Sequence, residues 1–493
     1  MSNHRKLRLR WLLSHGSTDQ LFPQVTINDL PDEVLLEIFG FYMAYPYPLP
    51  PLSYEEDAWH TLVHVCRRWR YVVFGSPRRL NLRLLCMNLN GTLTKTLDIW
   101  PELPIIIHVI YGEMIQPPSV TDVISALRRY DRVYTITVNN IPNSLLKEVA
   151  ATSEPFPALI ELELSSSEED PPILPDSFLG GSVPRLQSLN LSGIPFPAIG
   201  KLLLSTRHLV TLYLTSIPPS GYILPEAMVT IMSPLTRLKS LYLSFFKFPQ
   251  FWTHGASQRS PALTRIVLPT LTTFHYSGNR EYLEDMVSRI DAPLDTIDVS
   301  LFDQPVFDIP LLRDFIGRTK ILNSPHQVDI SFSLSNARIS LFQRKGDIDF
   351  KVLALVIFHS TPGLPLSSLV QSCSSFLPPL PSLEHLGVYK SEYLPSRGLD
   401  GVESTQWLEL LCPFVTVKDL VLDEPTALSV ASALQELVEE RVTEILPALQ
   451  NIFLEGFRLS GTVPEGIGKF IAAREVSGRP VIVHHRETKQ ELY

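Results

Sequence analysis

Leu186-Gln-Ser-Leu189-Asn-Leu191 is followed by Leu209-Val-Thr-Leu212-Tyr-Leu214 and Leu238-Lys-Ser-Leu241-Tyr-Leu243, so one spacing occurs three times in close succession. Apolar residues stand at its first, fourth and sixth positions. The alternation at its end reads as a short strand with one apolar face. The pattern extends upstream to Val133-x-x-Ile136-x-Val138 and Leu159-x-x-Leu162-x-Leu164. Downstream it continues with Leu263-x-x-Ile266-x-Leu268 and Leu294-x-x-Ile297-x-Val299. After a gap come Leu383-x-x-Leu386-x-Val388, Val417-x-x-Leu420-x-Leu422 and Leu449-x-x-Ile452-x-Leu454. The first six copies start 26, 27, 23, 29 and 25 residues apart.

A Leu-x-x-Leu-x-Leu pattern recurring every ~20–29 residues resembles a leucine-rich repeat. The expected fold is therefore α/β: a curved sheet built from stacked repeats, with helices and loops on its outer face. In such a stack the three apolar positions of each strand point inward onto the next repeat. Leu434, Leu437, Val438 and Ile445 read as the return helix before Leu449, and proline-rich stretches such as Leu377-Pro-Pro-Leu-Pro381 suit tight returns. The repeat is irregular, because the turn position that asks for Asn or Cys holds Ser167, Ile194, Ile217, Phe246, Phe302, Ser391, Pro425 and Phe457. The period lapses between 300 and 380, yet Gln327-Val-Asp-Ile-Ser-Phe332 and Asp349-Phe-Lys-Val-Leu-Ala-Leu355 read as strands that continue the sheet. Residues between the apolar positions face outward. Glu161, Glu163, Asn190, Tyr213, Tyr242, Arg265, Asp298 and His385 are the candidate substrate-binding residues on that face. A polar face with tyrosines suits protein recognition; a plain solvated sheet surface is the alternative reading.

Composition agrees with a folded chain of many short elements. The 493 residues are 45% hydrophobic and only 19% charged, with 42 prolines and 23 glycines. The net charge of −9 argues against nucleic acid as the main partner, since such domains carry a concentrated basic face. No apolar run approaches the ~18 residues of a membrane span. The basic start, His4-Arg-Lys-Leu-Arg-Leu-Arg10, leads into too short an apolar stretch for a signal peptide. Cys66, Cys86, Cys373 and Cys412 have no paired spacing and read as reduced thiols of a cytoplasmic or nuclear protein.

Near the N-terminus the periodicity is helical. Over Ile27–Phe41, Val34, Leu35, Ile38, Phe39 and Tyr42 recur on one stripe, with Pro31 suited to the first helical position and Asp32 and Glu33 in the first turn. Four prolines in Tyr45–Pro51 break this helix. Ser53-Tyr-Glu-Glu56 then reads as a capping box opening a second helix, whose stripe is Ala58, Leu62, Val65, Trp69, Val72 and Val73. So small a unit is marginal alone and leans on a neighbour or a partner.

Leu30-Pro-Asp-Glu-Val-Leu-Leu-Glu-Ile-Phe39 and Val65-Cys-Arg-Arg-Trp-Arg70 together resemble an F-box. The longer proline-rich connection resembles the large F-box family of mushroom-forming (basidiomycete) fungi. The segments Trp407-Leu-Glu-Leu-Leu, Leu446-Pro-Ala-Leu-Gln and Ala472-Ala-Arg are also similar to that family. The resemblance implies an F-box that docks on the Skp adaptor of a Skp–cullin–F-box (SCF) ubiquitin ligase, with the repeats holding a protein substrate. The docking residues it implies are Leu30, Pro31, Val34, Ile38, Phe39, Val65, Cys66 and Trp69. Some of these must instead close the helical core, and spacing alone does not sort them. The expected organisation is a basic tail at 1–26, the F-box at 27–86, the repeats at 87–455 and a helix–strand cap at 456–493.

Catalytic and metal motifs are missing from the sequence. Gly461-Thr-Val-Pro-Glu-Gly466-Ile lacks the lysine of a phosphate-binding loop. There is no His-Glu-x-x-His, Cys-x-x-Cys or Gly-x-Ser-x-Gly. His484 and His485 are adjacent on a strand and so point to opposite faces. The acidic run Ser165–Asp170 reads as a solvated connection, with phosphorylation as the alternative. The expectation is a non-catalytic protein without cofactor or metal, acting as a ligase substrate receptor. The alternative is an interaction scaffold outside a ligase.

Overall fold

The computed structural model describes residues 26–44, 58–86, 102–112, 120–246, 265–302, 309–319, 321–333, 336–346, 348–358, 380–390, 404–437, 440–456 and 463–486. It is mixed α/β and divides into two compact units, Met1–Arg83 and Leu84–Tyr493. The expected capping box at Ser53–Glu56 lies outside the described residues.

In the first unit a short 3-10 turn, Ile27–Asp29, precedes helix α1 (Asp32–Ala44). The Asp29 carboxylate accepts from the Thr26 backbone N–H at 2.7 Å and from its hydroxyl at 2.8 Å. The single helix expected from Ile27 is thus corrected to a turn, an extended step at Leu30 and a helix that starts after Pro31. Pro31 contributes its carbonyl, which accepts from the Val34 and Leu35 N–H groups. The second expected helix is likewise two, α2 (Ala58–Val65) and α3 (Arg67–Gly75). Cys66 breaks them apart: it is extended (φ −157°, ψ 169°), and its sulfur accepts from the Trp69 N–H. Trp59, Leu62 and Val63 of α2 and Val72 and Val73 of α3 are buried.

The second unit is built on a sixteen-stranded sheet. Its first half runs through β1 (Leu84–Cys86), β2 (Ile105–Ile110), β3 (Val133–Asn139), β4 (Glu161–Ser165), β5 (Ser188–Ser192), β6 (Thr211–Ile217) and β7 (Ser240–Phe245), all parallel. The sheet therefore begins at Leu84, inside the segment expected to belong to the F-box, and β1 and β2 precede the first repeat read from sequence. The copy at Leu263–Leu268 is corrected. Its strand β8 (Ile266–Val267) pairs only with β10 (Ile290–Asp291) in a separate ribbon. The next rung of the main sheet is β9 (Thr273–Gly278), where Leu271, Phe274 and Tyr276 supply the buried positions. β11 (Thr296–Phe302) follows as a parallel neighbour.

Where the period lapses, the topology changes. β12 (Gln327–Phe332), β13 (Asn336–Lys345) and β14 (Ile348–Phe358) form an antiparallel meander set into the sheet in reverse order. β14 pairs in parallel with β11, and β12 with β15 (His385–Lys390), so the strand direction is the same on both sides of the insertion. The parallel series then resumes with β16 (Asp419–Asp423), β17 (Asn451–Glu455) and β18 (Ile482–Arg486). β18 thus carries the sheet into the segment expected as a cap.

Register aligns one buried row across the strands. Ile136, Leu162, Leu189, Leu212 and Leu241 stand level, and the row continues through Phe274, Ile297, Leu353, Leu341 and Val328 to Leu386, Leu420 and Ile452. Each of these residues is buried. Return segments follow the strands, among them the helices Asn143–Ala150, Pro225–Met232, Arg280–Ser288, Pro310–Gly317 and Glu424–Gln435.

Neighbouring returns cap one another. Glu168 of the acidic run accepts from the Asn143 N–H that opens a helix, at 2.9 Å. Glu284 accepts from the Leu311 and Leu312 N–H groups at 3.0 and 2.8 Å. Asp423 caps its own helix, accepting from Thr426 N–H at 3.1 Å, and also accepts from Lys390 N–H at the end of β15 at 2.6 Å. These carboxylates satisfy helix N–H groups that have no partner within their own helix. Arg474, fully buried, donates to the Leu449 carbonyl at 3.1 Å and ties helix Glu465–Val476 to the entry of β17.

Two outcomes follow from this packing. Leu189→Asp or Leu241→Asp buries an unpaired charge in the central row, a loss of at least ~3 kcal/mol. The cooperative melting transition of the second unit should drop sharply or vanish; an unchanged melting curve would show that the row is not interior. Asp423→Ala removes a cap and should cost about 1–2 kcal/mol, read as a lower denaturant midpoint.

Candidate functional site

The first unit presents apolar side chains both inward and outward. On α1, Leu35, Leu36 and Phe39 are buried, and Phe39 packs on Trp69 with ring centroids 4.8 Å apart. Trp59 meets Phe74 edge-on at 5.8 Å and donates from its indole nitrogen to the Arg83 carbonyl at 3.1 Å. Arg68 ties the two ends of the unit together. Its guanidinium donates to the Asp32 carboxylate at 2.7 Å and to the Leu30 carbonyl at 2.5 Å. Arg70 donates to the Val63 carbonyl at 3.0 Å, bridging the break at Cys66.

The opposite side of α1 is exposed and apolar. Val34 and Ile38 are each 41% exposed, Tyr42 is 46% and Phe41 is 74%. Positions 34, 38, 41 and 42 share one helical face. Val65 and Tyr71 are exposed on α2 and α3, and Ile27 in the opening turn. Of the eight sequence-predicted docking residues, the structure puts Pro31, Val34, Ile38 and Val65 on the surface. Leu30, Cys66 and Trp69 are half-buried. Phe39 is enclosed and belongs to the core. Phe41 and Tyr71 were not among the predicted residues; Phe41 was legible as the i+3 neighbour of Ile38.

On the sheet, the residues between the buried positions form polar rows. Glu163, Asn190, Tyr213, Tyr242, His275 and Asp298 stand level on six successive strands of the sheet. The Tyr213 and Tyr242 rings stack at 4.1 Å and 15°, and Tyr242 stacks on His275 at 5.2 Å and 20°. His275 Nδ1 lies 3.8 Å from the Asp298 carboxylate, which also lies 3.7 Å from Lys351 Nζ. Burial pushes the His275 pKa down, with the Asp298 carboxylate opposing and Lys351 adding to the shift. The Tyr213 hydroxyl is pushed up by burial and by Tyr242. Glu161 stands beside Glu163 on the same strand face, two residues away.

His385 lies farther along the sheet in a chain of polar contacts. Its Nδ1 is 2.9 Å from Asp419, Asn451 donates to Asp419 at 2.7 Å, and His484 contacts the Asn451 oxygen at 3.2 Å. Arg265 is the predicted residue that the structure removes from this face. It stands next to β8, off the main sheet, where it donates to the Ser288 carbonyl at 3.1 Å. His275 belongs to the stacked row and lies outside the predicted set, because the Leu263 spacing points to β8 whereas the rung of the main sheet is the one beginning at Leu271.

Among the described residues no group of three or more His, Cys, Asp or Glu side chains is placed to hold a metal ion. No described helix is long and apolar enough to cross a membrane.

No curated protein matches this sequence. A family match covers the helical unit alone: residues 27–80, which carry the buried Phe39–Trp69 contact and the exposed α1 face, are an F-box-like domain.

Proposed function

We propose that this chain is a non-catalytic substrate receptor of an SCF-type ubiquitin ligase. The F-box-like domain docks on the Skp adaptor, and through it on the cullin–RING ligase, while the sheet unit holds a protein substrate. The exposed apolar face of α1 carries the reading. Val34, Ile38, Phe41 and Tyr42 lie on the domain that matches the F-box-like family, outside a core already closed by Leu35, Leu36 and Phe39. Such a face loses apolar area to water until a partner covers it.

The sheet unit fits an irregular leucine-rich-repeat solenoid. Its parallel strands, buried row and return helices follow the repeat, while the meander of β12–β14 and the missing asparagines make it irregular. Its half-exposed polar face is the substrate side. The receptor would raise the effective concentration of a substrate lysine near the charged conjugating enzyme and carry out no chemistry itself. The compartment of such a ligase is the cytoplasm or nucleus.

The test is capture of purified Skp adaptor by the full chain. Val34→Ala with Ile38→Ala should weaken binding at least ~30-fold, the scale of a 2 kcal/mol hot spot. Thermal stability should stay near wild type because both side chains are exposed. Phe39→Ala should instead lower the stability of the head by about 3–5 kcal/mol, as for a buried aromatic. Wild-type affinity in the double variant would remove the α1 face from the interface. A large stability loss in it would make the face structural. A pull-down of the full chain from cells that contains the adaptor but no cullin would favour the scaffold alternative.

A further inference from the structure

The turns that lead into the strands repeat one form. Just before β5, β6 and β7, Leu186, Leu209 and Leu238 each donate a backbone N–H to the carbonyl three residues back, at 3.1, 3.5 and 3.1 Å. The two residues inside each turn are exposed at its tip. These tips carry Arg185, then Arg207 and His208, then Arg237. Lys239, also exposed, follows at the entry of β7. The turns that enter β4, β9, β15, β16 and β17 are closed in the same way, and their tips hold only Pro, Ala, Ser, Thr and Val.

The three basic turns are neighbours. Ser188, Thr211 and Ser240 stand level on β5, β6 and β7, and strands lie ~4.8 Å apart, so the tips form a rim about 10 Å long at one edge of the sheet. Arg237 Nη1 lies 2.9 Å from His208 Nδ1, so adjacent tips meet. Cations elsewhere in this unit are engaged. Arg289 pairs with Asp285, Arg318 with Asp291, Arg344 with Asp349 and Lys418 with Glu384, at 2.6 to 3.1 Å. Among the described residues, none of Arg185, Arg207, Arg237 and Lys239 has a carboxylate within 4.0 Å. In a chain of net charge −9, this rim is a local positive edge.

We infer that this rim binds an acidic segment of the bound protein, a run of Asp or Glu side chains lying along the turns before β5, β6 and β7. A guanidinium donates two N–H groups to one carboxylate, and exposed cations with no carboxylate of their own are available to do so. Cations spread along a line, not gathered about one point, suit a row of single carboxylates better than one phosphate dianion. Nucleic acid fits less well, because Glu161 and Glu163 on neighbouring β4 repel a phosphate backbone. The inference rests on the reading of the sheet unit as the holder of a protein substrate. It adds a residue class to that reading: substrates present an exposed acidic stretch that reaches the strand-entry edge.

The probe is a rhodamine-labelled Gly-Ser-Glu-Glu-Asp-Glu-Gly-Ser peptide titrated into the full chain by fluorescence anisotropy at low salt. One matched peptide has Gln and Asn in place of the acidic residues, and a second adds a single phosphoserine to that neutral peptide. A thymidine oligonucleotide of equal length is the nucleic-acid arm. The acidic peptide should bind, and the neutral peptide should bind at least ~10-fold more weakly. The phosphoserine peptide and the oligonucleotide should both bind more weakly than the acidic peptide. Arg185→Gln with Arg237→Gln should weaken the acidic peptide about five-fold or more. Arg344→Gln with Lys418→Gln removes the same charge from cations already paired and should bind near wild type. All four side chains are exposed, so both double variants are expected to melt like wild type. Equal binding of acidic and neutral peptides, wild-type binding by Arg185→Gln with Arg237→Gln, or equal losses in the two double variants would each overturn the rim. Tighter binding of the phosphoserine peptide or the oligonucleotide than of the acidic peptide would overturn it as well. Adaptor capture is read in parallel. If the head fails to capture the adaptor while the acidic peptide binds as described, the ligase reading falls and the rim stands.

Discussion

A parallel strand cannot satisfy its backbone alone, and that constraint organises most of this molecule. Each strand from β2 to β17 in the main sheet is hydrogen-bonded on both sides. A parallel neighbour requires the chain to return along the sheet, and the helices and turns between strands supply that return. Because side chains alternate along a strand, aligning the hydrogen bonds also aligns the buried leucines into one row and the polar residues into another. The central apolar row and the Glu163-to-Asp298 row therefore have one cause. The meander β12–β14 obeys the same rule: two reversals restore the strand direction, and Leu353, Leu341 and Val328 keep the apolar row unbroken through it.

The helical unit solves a different problem. Few residues must close a core, and part of the apolar surface stays outside it. α1 does so by dividing its apolar residues between two sides, Leu35, Leu36 and Phe39 inside and Val34, Ile38, Phe41 and Tyr42 outside. The break at Cys66 lets α2 and α3 both reach the core, and Arg68 secures the start of α1 through Asp32 and the Leu30 carbonyl. The exposed apolar area is costly for an isolated unit and useful to one that docks.

Much of the fold was legible because period two and the Leu-x-x-Leu-x-Leu spacing report directly on burial. Leu189, Leu212 and Leu241 were readable in this way. The failure at Leu263 arose because the true rung, Leu271, Phe274 and Tyr276, has aromatic residues at two of its three buried positions, and the leucine copy eight residues earlier drew the register away. That slip misplaced Arg265 and hid His275. Of the meander, β12 and β14 were legible as strands; β13 between them, and with it the antiparallel pairing, was not, since alternation does not encode strand direction. In the head, helical periodicity marked Val34, Leu35, Ile38 and Phe39 as one stripe. It did not separate inside from outside, because that division depends on where Trp69 and Arg68 pack, and those side chains come from a different helix.

Hydrogen–deuterium exchange of the full chain with and without purified Skp adaptor tests the central claim most directly. The account predicts slowed exchange on adaptor addition within the F-box-like residues 27–80, strongest along α1, and unchanged exchange in the strands of the sheet from Leu84 onward. Protection confined to the sheet, or no protection at residues 32–44, would contradict it.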